Sequence, residues 1–300
     1  VDPNPDCTSD PAVRRFADLA EVSGAVDGVI IATPTALHAA QGIEAAKRGW
    51  HMLVEKPVAG DLAGAYALRD AVSAAGVGSL VGHHRRYHLT IRRLREMIAQ
   101  GLLGEIVTVS LIWAMRKPDA YFEGNWRTAG GSPVMINLVH DIDILRHVIG
   151  EIAEVAALRG RDLRKSGRIE SGAVALSFEN GATGTIAFAD TAPSPWGFEA
   201  GTGENPNIGS TGQDMMWITG TKGSISFPSL TLWSGASDWS QAASPDREAI
   251  EEGGKAPLMR QLEHFIEVMA GAKPLIDVTD ATRTLAVTLE IDQQLARRAA

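Results

Sequence analysis

Three hundred residues, 45% hydrophobic and 21% charged, suffice for two domains with sizeable cores and need no disulfide staples. Lys and Arg number 28 against 36 Asp and Glu, and the formal charge of −8 argues against a nucleic-acid binder. No apolar run reaches membrane-spanning length and no signal peptide is read, so no membrane partner is expected; the one cysteine, Cys7, favours a reducing, cytoplasmic setting.

The chain opens on "VDPNP", with Val1 and not an initiator methionine. "VDGVIIATP" is a short apolar run ending in a breaker, which predicts a buried strand. "ALHAAQGIEAAKRG" has helical spacing, "HMLVEKP" is the next strand, "DLAGAYALRDAVSAAG" a second helix and "VGSLVGH" a third strand. Short apolar strands separated by helices predict a parallel sheet with crossover helices. After a helix at "TIRRLREMIAQG", whose Arg92, Arg93 and Arg95 read as a solvated face, the texture changes and places a domain boundary near Gly82. "GEIVTVSLIWAMR" is a long strand, "SGAVALSFENGATGTIAFAD" a hairpin turned at Asn180-Gly181, and "QDMMWITGTKGSISFP" a strand pair turned at Thr221 to Gly223. These predict one broad antiparallel sheet with a helix packed on it. Ala192 to Gly212 reads as a long loop, and helices close the chain around Leu258 to Ala270 and from Thr279 onward.

Chemistry is expected beyond the carboxyl ends of the parallel strands. Those ends carry Thr33-Pro34, Glu55-Lys56-Pro57 and His83-His84-Arg85. Lys56 there can donate to a substrate hydroxyl and stabilise developing alkoxide charge, with Pro57 fixing its direction, a cis bond included among the options. A strand-end ion pair at the surface is the plainer reading. In "GGSPVMINLVHDIDILRHVIG" a helix from about Val134 gathers Leu138, Val139, Ile142, Leu145 and Ile149 on one side. Asn137, His140, Asp143 and His147 fall opposite, a polar stripe without lysine or glutamate. His140 is the natural acid/base and Asp143 can orient its imidazole. A polar face with satisfied hydrogen bonds is the alternative, and a metal site lacks a His-x3-His or Cys pair on this helix. Lys117, Tyr121, Trp126 and Arg127, in "RKPDAYFEGNWRT", suit a sugar, the aromatics by stacking and the cations by hydrogen bonding. A surface loop packing its own aromatics fits the same residues.

Taken together, "IATPTALHA", "VEKP", a Gly-Gly loop, the helix with "NLVHDID", the "FENGA" hairpin and "ITGTKGSISF" resemble the glucose–fructose oxidoreductase, inositol dehydrogenase and rhizopine-catabolism family (Gfo/Idh/MocA). The resemblance implies that 1–82 is part of a Rossmann domain binding NAD or NADP. It implies that 83–300 is a substrate-binding and oligomerisation domain of α+β type with a large open antiparallel sheet. On this likeness the cofactor side comprises Asp2, Thr33, Pro34, His38, Glu55, Lys56 and Arg85. Lys56 and His140 take the roles of hydroxyl-binding lysine and acid/base, Asp143 assisting, and no metal is implied. The substrate side comprises Asn137, Lys117, Tyr121, Trp126 and Arg127.

Two departures qualify the likeness. Many polyol dehydrogenases of the family carry Asp or Asn four residues before the histidine; here Ile136 stands there and Asn137 stands three before. Either Asn137 takes over that contact by a slight rotation or the substrate differs from inositol. The glycine-rich turn G-x-G-x-x-G is also missing. "VDPNP" matches the end of the family's second strand, with Asp2 as the ribose-binding acid, so roughly 30 upstream residues are expected to be absent from the sequence. Asp2, with no arginine directly after it, favours NAD over NADP. The expected activity is oxidation of a sugar, inositol or related polyol. A cofactor-recycling glycosidase, an epimerising oxidoreductase, a non-catalytic sugar-responsive regulator and a Schiff-base lyase at Lys56 are the alternatives. Strands such as "AVALSFE" and "TGTIAFA" leave a face of Ala and Thr, which predicts a homodimer or homotetramer through that sheet.

Overall fold

The structure, a computed structural model, describes residues 1–2, 13–123, 132–247 and 255–297. Trp126 and Arg127 lie outside the described residues. Contacts divide the chain into two compact units: Val1–Gly82 with His264–Thr279, and His83–Glu263 with Asp280–Ala300. One division falls after Gly82, and residues 264–279, expected in the second domain, group with the first unit. They do so because apolar side chains there fill the space over glycines. Phe265 and Met269 close over Gly28, Val268 closes over Gly78, and Ile276 O accepts the N–H of Val81.

In the first unit, β1 (Gly28–Ile31), α1 (Thr35–Lys47), β2 (His51–Val54), α2 (Leu62–Ala75) and β3 (Ser79–Val81) alternate as their periodicity predicts. The sheet is parallel, in the order β1-β2-β3, with Ile31 beside Val54 and Val54 beside Val81 at the carboxyl edge. α2 starts at Asp61, whose carboxylate accepts the Gly64 N–H, and stops at Gly76 with φ 64°, the left-handed conformation that glycine adopts at little cost. α1 and α2 meet at Gly42, where a Cβ would lie 2.6 Å from Leu68 Cδ1.

The second unit begins with a short 3-10 turn, His84–Tyr87, followed by α3 (Leu89–Ala99) and β4 (Ile106–Ala114). A single-turn π-helix, Val134–Leu138, runs directly into α4 (Val139–Val148). Then follow β5 (Ile152–Arg159), β6 (Ser171–Phe178), β7 (Thr183–Ala189), α5 (Phe198–Thr202), β8 (Met216–Gly220), β9 (Gly223–Phe227), β10 (Thr231–Ser234) and β11 (Ser244–Arg247). α6 (Pro257–Met269) and α7 (Val278–Arg297) close the chain. The stretch read as a loop thus contains α5, which forms because Phe198 is fully buried against Phe227, their rings 5.7 Å apart.

Eight strands form one sheet in the order β11-β10-β9-β8-β4-β7-β6-β5. It is antiparallel except at its middle, where β4 runs parallel to β7, so the sheet is mixed. A parallel pair needs a long connection, and the segment from β4 through α4 to the β6–β7 hairpin provides it. Alternation decides the faces: Val109, Leu111 and Trp113 of β4, Val174 and Leu176 of β6 and Ile186 and Phe188 of β7 point to one core. Ile91 and Leu94 of α3, Leu138, Ile142 and Leu145, and Ile291 and Leu295 of α7 cover it.

Gly42→Val should lower unfolding free energy by about 1–3 kcal/mol, the usual range for overpacking a filled contact. Equilibrium urea unfolding measures this, and an unchanged midpoint would show that α1 and α2 separate freely at Gly42.

Candidate active site

In the first unit the polar residues stand where the parallel strands end. Thr33 Oγ1 donates to Gln41 Oε1 (2.6 Å), and the Lys56 N–H donates to Glu55 Oε2 (3.2 Å). The Lys56–Pro57 bond is cis. Glu55 packs so closely on Gly82 that a Cβ there would meet its Oε2 at 2.9 Å. His38, expected on the cofactor side, does different work. It is buried, and its Nδ1 and Nε2 lie 2.8 Å from Pro57 O and Thr33 O. Both ring nitrogens are thereby taken up in tying the ends of β1 and β2 together. Pro34 stands at the N-cap of α1. Asp2 is exposed, its backbone N–H donating to Phe16 O, and no strand is assigned to it. The donor set fits the nicotinamide end of a dinucleotide: an ammonium and a carboxylate, Lys56 and Glu55, at the carboxyl edge of a parallel sheet. No described loop of the first unit offers the glycine-rich cradle for a pyrophosphate.

In the second unit the polar stripe of α4 is not a solvated face: every residue from Val139 to Val148 except His147 is buried. His140, 7% exposed, packs edge-on against two imidazoles, His84 at 5.3 Å and His83 at 6.1 Å between ring centroids. Asp143, expected to orient His140, is held instead by an arginine. Arg86 Nε and Nη2 donate to its two oxygens at 2.9 and 2.7 Å, Thr284 Oγ1 donates at 3.0 Å, and His83 Nδ1 lies 3.6 Å away. Burial pushes the Asp143 carboxyl upward, but His83 and Arg86 outweigh it and bring the pKa down to about 2.

Arg85 also departs from expectation. Its guanidinium lies 4.1 Å above the Phe198 ring and bonds Glu199 (2.6 Å) and Asp141 (3.3 Å), with Glu204 at 3.5 Å. It is 3% exposed, so it is a hub inside the second unit and not a free cation for a cofactor phosphate. Asp141 Oδ2 has no hydrogen-bond partner among the described residues. Burial, reinforced by Glu199 and Glu204 and opposed by Arg85, raises the Asp141 pKa to about 7.

Of the residues expected on the substrate side, Lys117, Asn137 and Tyr121 meet. Lys117 Nζ donates to Asn137 Oδ1 at 2.7 Å and lies over the rings of Tyr121 (5.0 Å) and Trp113 (5.6 Å). The π-helix explains how Asn137 gets there. Its wider turn, closed by Val139 N–H to Val134 O, inserts one residue into the helical register. Asn137 is thereby turned toward Lys117, while Ile136 lines the cavity beside it.

Sequence reasoning missed His83 and His84 as neighbours of His140, and Glu199 and Glu204 as partners of Arg85. One signal was available: "HHRR" after a core strand puts two adjacent arginines where burial demands acids, and "HDID" supplies two. Among the described residues no group of His, Cys, Asp and Glu has the arrangement of a metal site, and no helix is long and apolar enough to cross a membrane.

Residues 3–83 match the model of the oxidoreductase family with an NAD-binding Rossmann fold, and residues 91–226 match the GFO/IDH/MocA C-terminal domain. A 1,5-anhydro-D-fructose reductase of Ensifer adhaerens is 32% identical over 61% of the chain and 57% of its own length. A scyllo-inositol 2-dehydrogenase (NAD(+)) of Bacillus subtilis is 26% identical over 87% of the chain and 73% of its own. With several other curated relatives the match spans about half their length or less, 38%, 48% and 49% in three of them. The fold is shared with an oxidoreductase from Agrobacterium radiobacter, solved with NAD+, L-tartaric acid and magnesium (TM-score 0.75, 20% identity, 95% of this chain and 83% of that one). It is shared too with the WlbA dehydrogenase of Bordetella pertussis, solved with NADH and UDP-GlcNAcA (TM-score 0.69, 23% identity, 91% and 78%).

The two acids of α4 titrate in different windows with opposite sign. Asp143, depressed to about 2 from 3.8, contributes stability that is present above pH 4 and lost as pH falls through 2, ~2 kcal/mol in all. Asp141, raised from 3.8 to about 7, holds a proton that the unfolded chain has lost, so its contribution falls as pH rises from 4 to 7. His147, lowered by burial to about 3, works against Asp141 across part of that range but is present in every variant. Relative to the parent, Asp141→Asn should therefore gain in Tm between pH 4 and 7, and Asp143→Asn should lose between pH 2 and 4. Parallel Tm–pH curves for parent and variants would refute both assignments.

Proposed function

The chain belongs to the Gfo/Idh/MocA oxidoreductase family, and on that premise we propose that the protein is an NAD(P)-dependent dehydrogenase acting on a secondary hydroxyl of a sugar, inositol or related polyol. The observation that carries the reading is that both chemical groups such a reaction needs are present in built positions. Lys56 stands at the carboxyl end of β2, in the unit that matches the NAD-binding model. His140 is packed among imidazoles on α4, two residues beyond the π-turn that presents Asn137. A regulator on the same fold needs neither group. The sugar and inositol enzymes among the relatives, and the NADH and NAD+ in the structural neighbours, support the same reading.

Bound nicotinamide supplies the hydride acceptor. Lys56 donates a hydrogen bond to the reacting oxygen and stabilises its alkoxide character as the C–H bond breaks. His140 takes the hydroxyl proton, and Lys117 and Asn137, joined by their hydrogen bond, fix neighbouring hydroxyls. Tyr121 offers its ring face to the sugar. Asp143 serves as a positioning residue, through His83 and Arg86. Asp2 favours NAD, since its carboxylate accepts from ribose hydroxyls and repels a 2′-phosphate. One cysteine and a diffusible nicotinamide cofactor favour a cytoplasmic setting.

The test is reduction of NAD+ and NADP+ across a panel of sugars and polyols by the full-length protein. Lys56→Ala should lower kcat by roughly 10²-fold or more. His140→Asn should abolish one limb of the pH–rate profile. Near-normal turnover by Lys56→Ala, or an unchanged profile in an active His140→Asn enzyme, would move these roles elsewhere.

We infer further that the protein is a homo-oligomer, two copies meeting through the open face of the sheet. Two rows of residues cross that face in register: Leu158, Ala173, Ala187 and Ile112, and Ala156, Ala175, Thr185, Ser110 and Trp217. Neither row holds a charge, and Leu158 is 55% exposed. Two uncharged rows of small and apolar side chains suit a second copy of themselves about a two-fold axis. Light scattering should give a dimeric or tetrameric mass, and Ala175→Arg should reduce it; a monomer at micromolar concentration would refute the inference.

A further inference from the structure

The second unit contains a cavity of ≈ 590 Å³, a size suited to a small ligand. The segment after β4, the residues before α4, the 163–170 loop and the residues just after β7 form its walls. Its charge is unusual for a chain with a formal charge of −8. Four cations line it, Arg116, Lys117, Arg164 and Arg168, against three carboxylates.

The carboxylates are all occupied by a single side chain and its neighbours. Arg164 bonds Asp190 at 2.6 Å and Asp119 at 3.2 Å. Glu170 accepts the backbone N–H groups of Leu163 (2.7 Å) and Arg164 (3.2 Å), with the Arg164 guanidinium at 3.6 Å. That leaves Lys117, Arg116 and Arg168 with no carboxylate at ion-pair distance among the described residues. The groups that hold two of them are neutral. Lys117 donates to the Asn137 amide and lies over Tyr121, and Arg168 lies 5.3 Å over the Phe122 ring. Burial, with Arg164 beside it, outweighs Asp190 and Glu199 and pulls the Lys117 pKa down.

A site for a neutral polyol needs donors and acceptors in balance. This one offers cationic donors in excess, half-buried and held by aromatic faces, an arrangement that attracts and orients a carboxylate. The helix that carries the proposed acid/base begins at its wall. Ile136 lines the cavity, and His140 follows it by four residues, ~6 Å along a helix axis. A six-carbon sugar acid spans that separation.

We propose that this cavity takes the carboxylate of an acidic sugar, an aldonate or a uronate, with Lys117 and Arg168 as its hosts and Arg116 at the rim. The proposal rests on the dehydrogenase reading above and narrows its substrate. The oxidised carbon gives up its hydrogen as hydride to the nicotinamide, the hydroxyl proton passes to His140, and a keto acid leaves; the carboxylate itself is unchanged.

The experiment compares D-galacturonate, D-glucuronate and D-gluconate with D-galactose, D-glucose and D-glucitol, using the full-length protein. It measures kcat/KM with NAD+ and, separately, binding by calorimetry. At least one acid should exceed its neutral counterpart by tenfold or more in kcat/KM, and the advantage should shrink with added salt. The acid-to-neutral ratio should fall about tenfold in Arg168→Gln and in Lys117→Gln, and recover in part in Arg168→Lys. Turnover of the neutral sugars equal to or better than that of the acids would overturn the proposal and leave the dehydrogenase reading intact. Acid binding that Arg168→Gln abolishes, without reduction of either nicotinamide by any compound, would uphold the anion site and overturn the dehydrogenase reading. Equal calorimetric binding of acid and neutral forms would overturn the anion site outright.

Discussion

Two neighbouring guanidiniums enter the interior of the second unit at Arg85 and Arg86, and the arrangement around His140 follows from that. Adjacent cations cannot be buried without acids, and α4 supplies Asp141 to the first and Asp143 to the second. Residues two apart on an α-helix point ~200° apart, so the two arginines clasp α4 from different sides and fix its rotation. With that rotation set, His140 falls against His83 and His84. Such pairs are weak evidence for stability, because desolvation offsets much of the attraction. Their consequence here is geometric: the helix cannot turn without stranding a buried charge, and a stranded charge costs about 3–5 kcal/mol.

The π-turn at Val134–Leu138 sets the other half of the geometry. A π-turn weakens a helix, since it spaces the hydrogen bonds poorly, and it persists where packing on either side demands it. Val134 and Leu138 are fully buried on one side of it, and Asn137 meets Lys117 on the other. A regular α-helix with the same apolar anchors would place Ile136 nearer that contact. The turn therefore reconciles a core that wants Leu138 inside with a polar site that wants Asn137 one position on. Its continuation into α4 links the Lys117–Asn137 pair mechanically to the histidine.

The sheet gives both features their support. β4 sits at its centre, paired on both sides, and its buried Trp113 underlies the ammonium of Lys117. The same strand that fills the core thus delivers a cation at its end. On the far face, Ala, Thr and Leu stand where a solvated sheet would carry lysine and glutamate, a pattern the core does not require.

Much of this was legible along the chain. The short apolar run closed by Glu55-Lys56-Pro57 is the buried parallel strand its composition predicts, whereas the run closed by Thr33-Pro34, also expected to be buried, pairs in parallel but leaves Ile30 52% exposed. Asn180-Gly181 between alternating runs determines its hairpin, because the turn needs a residue that tolerates positive φ, and Gly181 adopts 88°. Lys56, His140, Lys117, Asn137 and Tyr121 stood out by position and type, and the last three do meet. The roles of His38, Arg85 and Asp143 were not legible, and neither was the return of residues 264–279 to the first unit. Each depends on a partner distant in sequence: the Pro57 carbonyl for His38, Glu199 for Arg85, Arg86 and Thr284 for Asp143. Periodicity reports which face a residue occupies, since that is a property of local backbone geometry. Which charge it meets on that face is decided by long-range packing, and so only the tertiary structure assigned these side chains to one another.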